Sequence, residues 1–424
     1  MTAWMRGLIM RRRFTLIVMA AMLLGIGTGA ILHAVYPDPS AAKTLAGYFS
    51  LLTDIFLRLI RMIIAPLVLS TLVVGIAHME DTAAIGRVGG RTLLWFICAS
   101  IVSLILGAAM VSLIQPGVGL HMVAPSQGPT DVTATAFTLK DFITHVFPRS
   151  IIEAMANNEI LQIVVFAIFL GTAISAMEDR APAILALAEQ VARVMLKITG
   201  YVMWFAPVAV FAALASTVTT QGLGVLVTFA PFVGGFYLSL GLLWGILLLA
   251  AFAVIGRRAW SLAAAVREPV ILAFSTASSE AAYPRTLEVL QRFGVSRRIV
   301  SFVLPLGYSF NLDGSMMYCT FATLFIAQVY GVHLTPGQLV VMLLMFLVTS
   351  KGMAGVPRAS LVVILAALPT FNLPVAGMTL ILAVDHLLDM GRSATNVVGN
   401  SVASAVVGKW EGQLGPPLEA DAVV

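Results

Sequence analysis

Apolar residues run along this chain in long blocks, at about 14–36, 48–78, 92–115, 151–177, 183–216 and 225–255, with short polar connections between them. An α-helix needs about 20 apolar residues to cross a hydrocarbon core, and each block is long enough, some with tilt. The part up to residue 255 therefore predicts six crossing helices. Pro66 and Pro207 fall inside apolar helices and Arg58 and Arg61 near a helix end, features that need only local backbone adjustment or snorkelling. The first block follows an Arg-rich start, as a signal peptide would, but its apolar core is long and no small-x-small cleavage site follows, so a retained helix is expected.

After Arg267 polar, small-residue clusters interrupt the apolar runs: FSTASSEAAYP at 274–284 and TSKGMAGVP at 349–357. With an offset of 73, Thr276, Ala281, Pro284 and Arg285 fall on Thr349, Ala354, Pro357 and Arg358. The apolar arms beside each cluster are too short to cross alone. Two re-entrant helical hairpins are expected, at about 260–293 and 336–371.

Composition and charge narrow the class. At 59% hydrophobic and 11% charged, the 424 residues exclude a water-soluble globule and a disordered chain. The net charge of +5 does not imply nucleic-acid binding, because its placement follows topology. Arg6, Arg11, Arg12 and Arg13, then Arg87 and Arg91, Arg180, Arg257 and Arg258, and Arg297 and Arg298 mark every second connection. The connections at 37–47, 217–224 and 332–337 hold only Lys43, so the N-terminus is expected in the cytoplasm and the segment 116–150 outside. By the same rule the hairpins enter from opposite sides, an inverted repeat with a binding site near the midplane. Cys98 and Cys319 lie inside apolar runs and give no support for a disulfide or thiolate metal site.

Chemistry gathers in two places. The last long helix, about 374–409, carries Asp385, Asp389, Arg392, Asn396 and Asn400 on a stripe about 80° wide, with Ser393 at its flank. Asp385 could meet water at a helix end, whereas Arg392 lies far from either end. An ionised group at bilayer centre costs ~2.5–3.5 kcal/mol, so Asp389 and Arg392 are expected to face inward. They form either a structural ion pair or a site in which the Arg392 fork takes a carboxylate and Asp389 an ammonium. The second place is Asn311-Leu312-Asp313-Gly314-Ser315, inside the apolar run 299–330. A turn between helices would use the same residues. Full-length apolar stretches on both sides favour an unwound segment whose oxygens suit a small hard cation.

With these pieces together, the sequence resembles the dicarboxylate/amino acid:cation symporter family, which includes the glutamate transporters. PLVLSTLVVGIA, the tip STASSEAAYP, NLDG, KGMAGVP, DMGRSATNVVGN and the closing KWEG carry the likeness over nearly the whole chain. The resemblance implies an all-α polytopic membrane protein with eight transmembrane helices, two re-entrant hairpins and inverted repeats, working as an elevator in a homotrimer. Scaffold helices would occupy 1–77 and 116–220, and the transport domain 78–115 and 221–424. A bacterial inner membrane with both termini cytoplasmic is the implied location. Arg392 would bind the distal carboxylate of an acidic substrate, Asp389 its amino group and Asn396 its main-chain carboxylate. Ser278, Ser279, Ser315, Ser393 and Val356 would complete the pocket, and 352–357 would gate it from outside. Sodium-coupled members hold cations around Gly307, Ser309, Asn311, Asp313, Asn396 and the position of Asn400, with carbonyls near Ser350–Met353. No cofactor is implied beyond the transported proton or sodium.

This chain departs from that pattern at Asn400, where sodium-coupled members carry a carboxylate. It departs also at Ala99-Ser100, where they have a hydroxyl pair, and at Phe96, where they have an aromatic hydroxyl. Fewer oxygen ligands point toward protons. Cys319 replaces the glutamate of animal relatives, leaving Glu280, Asp313, Asp385 and His386 as candidate proton carriers. The leading expectation is glutamate or aspartate import. A C4-dicarboxylate is the second, since it would use Arg392 but leave Asp389 without an ammonium. A passive anion channel shares the charge pattern. An intramembrane hydrolase using Ser279 or Ser309 with His386 lacks the G-x-S-x-G and H-E-x-x-H motifs.

Overall fold

The protein is seen as a computed structural model that describes residues 3–77, 82–118, 146–177, 181–222, 229–349, 359–382 and 384–418. Helices α1 (Ala3–Val35), α2 (Pro39–Ala77) and α3 (Thr82–Ile114) follow the first three apolar blocks. The fourth block divides into α4 (Ile151–Ala156) and α5 (Ile160–Ala176), with Asn158 in left-handed backbone between them. The fifth divides into α6 (Pro182–Met203) and α7 (Ala206–Gln221), bent by 53°. Pro207 lies in the first turn of α7, where its missing N–H has no helical partner to lose. It starts a helix rather than sitting inside one, which corrects the expectation of a proline within a continuous helix.

The sixth block is α8 (Ala230–Ile255). Phe232, Phe236, Leu240, Leu243 and Leu247 form its buried face at helical spacing, while Leu238, Leu242, Leu249 and Phe252 are exposed. A helix apolar on both faces with one of them uncovered is built for lipid. Among the described residues four helices, Leu16–Val35, Pro39–Ala77, Gly86–Ile114 and Ala230–Ile255, are long and apolar enough to cross a membrane, and the bent α6–α7 pair adds a fifth if it is counted as one span.

The second half is built of interrupted helices: α9 (Arg258–Ala265), α10 (Arg267–Thr276), α11 (Ser279–Phe293), α12 (Arg297–Phe310), α13 (Asp313–Val329), α14 (Pro336–Thr349) and α15 (Ala359–Thr370). A 3-10 turn (Val375–Gly377), α16 (Met378–Leu382) and α17 (Asp385–Trp410) complete it. The chain breaks at Ala277, which is left-handed (φ 48°), and restarts where the Ser278 hydroxyl accepts the Ala281 N–H at 3.2 Å as the N-cap of α11. The helices flanking this break are Arg267–Thr276 and Ser279–Phe293, with Val266 between the first of them and α9. Between α12 and α13 only Asn311 and Leu312 leave the helix. The last helix is also shorter than expected: Val384 (φ −124°) ends the irregular stretch before α17. Asp385 is therefore in the first turn and Arg392 two turns in, not a dozen residues from both ends.

Packing divides the chain into two groups that touch. α2 lies against α5, α6 and α7, with α1 against α7. α17 is surrounded by α3, α8 and α10 to α13, and from Met390 to Gly408 each of its residues is buried. The groups meet where α2 contacts α11 and α12, α7 contacts α10, and α5 contacts α12. Among the described residues no strand ladder forms; Val295 and Leu414 make an isolated antiparallel bridge.

Candidate functional site

The polar stripe of α17 points into protein, with Asp389 partly open and Asp385, Arg392, Asn396 and Asn400 buried. Arg392 is 4% exposed, and its Nε donates to Asp389 Oδ1 at 2.6 Å, where the Ser393 hydroxyl also donates at 3.3 Å. Asp389 remains 24% exposed, so the pair has one closed and one open member. The guanidinium lies over the Tyr318 ring, 4.8 Å from its centroid, a cation–π contact contributed by α13. The Tyr318 hydroxyl donates to Asp385 Oδ1 at 2.8 Å. Asp385 is thus an interior residue, 4% exposed, and the reading in which it meets water at a helix end fails. Arg392 Nη1 is buried with no hydrogen-bond partner. A buried donor left unmatched costs about 1–3 kcal/mol, more when charged, and an incoming carboxylate is the acceptor that suits a guanidinium fork.

One turn further, Asn396 joins α17 to the start of α13. Its Oδ1 accepts the Gly314 N–H at 2.9 Å and its Nδ2 donates to Ser315 Oγ at 3.2 Å. This junction needs glycine: a Cβ on Gly314 would lie 2.7 Å from Arg392 Cα, and one on Gly399 would run into the Asp313 carboxylate. Two helices carrying polar groups can approach this closely only because those positions have no side chain.

The unwound Asn311-Leu312 step holds an oxygen-rich cluster. Asn311 Nδ2 donates to Asp313 Oδ2 at 3.0 Å and to Asn400 Oδ1 at 3.2 Å. From α3, the Ser103 hydroxyl donates to Asp313 Oδ1 at 3.3 Å. Asn311, Asp313, Asn400 and Ser309 are fully buried, and Asn311 Oδ1 and Ser309 Oγ have no hydrogen-bond partner. Gly307 packs against the Asn400 amide, and its carbonyl accepts the Asn311 N–H at 2.8 Å. A carboxylate flanked by unmatched amide and hydroxyl oxygens is a donor set that a small hard cation can use. Among the described residues no group of three His, Cys, Asp or Glu side chains forms a transition-metal cage.

Arg392, Asp389, Ser393, Asn396 and Ser315 thus gather around one face of α17, and Gly307, Ser309, Asn311, Asp313 and Asn400 gather beside it. Ser278 is occupied in capping α11, and Ser279 opens that helix; α10 and α11 both pack on α17. Val356, Ser350 and Met353 lie outside the described residues. Two participants were missed from sequence. Tyr318 is an ordinary residue of an apolar run, and Ser103 lies one turn beyond the Ala99-Ser100 pair, a spacing that could have brought it in. The Ser309 hydroxyl has no hydrogen-bond partner and so makes no dyad with His386, which removes that form of the hydrolase reading.

The family model described as "Sodium:dicarboxylate symporter family" matches residues 14–410. A proton/sodium-glutamate symport protein of Bacillus caldotenax is 36% identical over 411 residues, covering 93% of this chain and 94% of that protein. A proton/glutamate-aspartate symporter of Escherichia coli K12 is 38% identical, covering 93% and 92%. A C4-dicarboxylate transport protein of Laribacter hongkongensis is 37% identical, covering 93% and 89%. With a family match across nearly its whole length, relatives similar from end to end, and a buried ionic stripe on its last helix, the chain belongs to the sodium:dicarboxylate symporter family.

Proposed function

We propose that this protein is a secondary active symporter, not an enzyme, that imports an acidic amino acid, glutamate or aspartate, together with cations. The observation that carries this reading is the buried Arg392 guanidinium, with Nη1 unmatched, one helical turn from the partly open Asp389 carboxylate. A zwitterion with a second carboxylate presents the complementary charges. In this reading Arg392 takes the distal carboxylate, Asp389 the ammonium and Asn396 the main-chain carboxylate. Ser315, Ser393, Ser278, Ser279 and Val356 form the walls. In this reading the break at Ala277–Ser278 is the tip of one re-entrant hairpin, and the tip of a second falls at 350–358, outside the described residues, within an eight-helix architecture that moves as an elevator in a homotrimer of the bacterial inner membrane, both termini cytoplasmic. Residues 78–115 and 221–424 travel against 1–77 and 116–220, consistent with the two packing groups.

Protons are the preferred coupling ion. Asn400 supplies an amide to the Asn311–Asp313 cluster, and Phe96 and Ala99 add no oxygen from α3. Gly307, Ser309, Asn311, Asp313, Asn396 and Asn400, with Ser350 and Met353, would form the cation path. The relative named for C4-dicarboxylates supports a second reading, import of succinate, fumarate or malate. Arg392 and Ser393 already engage Asp389, so the cost of an unpaired carboxylate does not by itself exclude that substrate. Uptake of labelled glutamate, aspartate and succinate into proteoliposomes, with pH and sodium gradients imposed separately, tests the proposal. Glutamate or aspartate should accumulate on an inward proton gradient. Accumulation of none of the three under either gradient contradicts it.

A further inference from the structure

Away from α17, a cavity of about 460 Å³ opens where α6 faces the α11–α12 turn and the segment after α17. Its size is that of a small-ligand pocket. Arg193 and Leu196 of α6 form one wall; Gln291, Ser296 and Arg297 form another, and Gly412 to Leu418 contribute the rest. The second and third walls are fixed to each other: Gln413 O accepts the Ser296 N–H at 3.0 Å, Gly294 O accepts the Gly415 N–H at 2.9 Å, and Arg258 Nη2 donates to Gly415 O at 2.9 Å. Gly294, at φ +107°, makes the turn that brings them together.

Three buried side-chain atoms of this cavity are unmatched. Gln291 is 8% exposed, and its Nε2 has no hydrogen-bond partner; nor do Ser296 Oγ and Arg297 Nη2. Ser296 is also the N-cap residue of the fourteen-residue α12, whose positive end therefore faces the same space. Two guanidinium groups line the cavity, and the carboxylate acting on Arg297 is that of Glu189, one turn before Arg193 on α6. Buried donors of this kind, two arginines and a helix N-terminus together fit a tetrahedral oxyanion. The connection at Arg297 and Arg298 that lines it is one of those the charge pattern places in the cytoplasm, where anionic headgroups and free phosphate are both available.

We propose that this cavity is a cytoplasmic-side binding site for a phosphate-type anion, held by Arg193, Gln291, Ser296 and Arg297 and bridging α6 to the start of α12. The inference is independent of the substrate assigned to α17. The test uses the full-length protein in two arms: calorimetric titration with inorganic phosphate, and native mass spectrometry of protein released from nanodiscs of phosphatidylglycerol or of phosphatidylcholine. Each arm is run on wild type, Arg193→Gln and Arg297→Gln. Phosphate binding in the first arm identifies a free anion. Retention of phosphatidylglycerol over phosphatidylcholine in the second, without phosphate binding, identifies a lipid headgroup. In either case the Arg297→Gln variant should bind about tenfold more weakly or worse, the loss expected for a charge-assisted hydrogen bond. Arg193 is exposed, so Arg193→Gln keeps the test meaningful where the buried substitution unfolds the protein. No binding in either arm, or binding by the folded variants equal to wild type, overturns the site.

Discussion

Arg392 has two neighbours that fix its plane: Asp389 on Nε and the Tyr318 ring beneath. A lysine keeps the charge but loses the planar fork and its stacking. Arg392→Lys should therefore lower the initial rate of glutamate uptake in proteoliposomes by more than about tenfold, the loss of roughly one to two charge-assisted hydrogen bonds. Uptake within twofold of wild type would show that the fork is not what holds the substrate. The two ionised members of this site were legible in the sequence because an arginine and an aspartate inside an apolar run must face protein or water. Tyr318 was not legible: a tyrosine sits in such a run at little cost, and its contacts with Arg392 and Asp385 come from a helix some 70 residues away in sequence. Ser103 was hidden for the same reason, since its partner Asp313 lies 210 residues on.

At the scale of elements, the site depends on broken helices lying against an unbroken one. Gly307 and Gly314 on α12 and α13, and Gly399 on α17, set how closely these helices approach. Gly399→Ala would push a methyl group into the Asp313 carboxylate and to within 3.2 Å of Asn311 Nδ2. Overpacking of this kind costs about 1–3 kcal/mol. The variant should show a lowered melting temperature in detergent, together with weakened cation dependence of uptake; an unchanged melting temperature and an unchanged cation dependence would contradict the close packing. The helix break within 274–284 and the NLDG interruption were readable from local chemistry, because serine caps, glycine and proline break an apolar run at defined places. The break before Asp385 was not readable. The stretch from Val375 to Val384 is apolar apart from Thr379 and holds no proline, so nothing local marks the restart of the helix at Asp385.

For the whole molecule, the inverted charge pattern and the two packing groups frame a carrier working across a potential. One charge crossing 100 mV gains or loses ~2.3 kcal/mol. A substrate of net charge −1 carried with a single proton is electroneutral, so voltage-driven accumulation requires two or more cations in each cycle. With the pH gradient held constant, an inside-negative potential should raise glutamate accumulation in proteoliposomes; uptake indifferent to voltage would limit the cycle to one cation. The central claim is narrower than the coupling: Arg392 and Asp389 jointly hold a zwitterionic dicarboxylate. Binding isotherms for glutamate and succinate on purified wild type and Asp389→Ser test it most directly. Removing the ammonium's partner should weaken glutamate about 30-fold or more, on the scale of 2 kcal/mol and above for a desolvated charge pair, while leaving succinate as tight or tighter. Unchanged glutamate affinity in that variant would contradict the account.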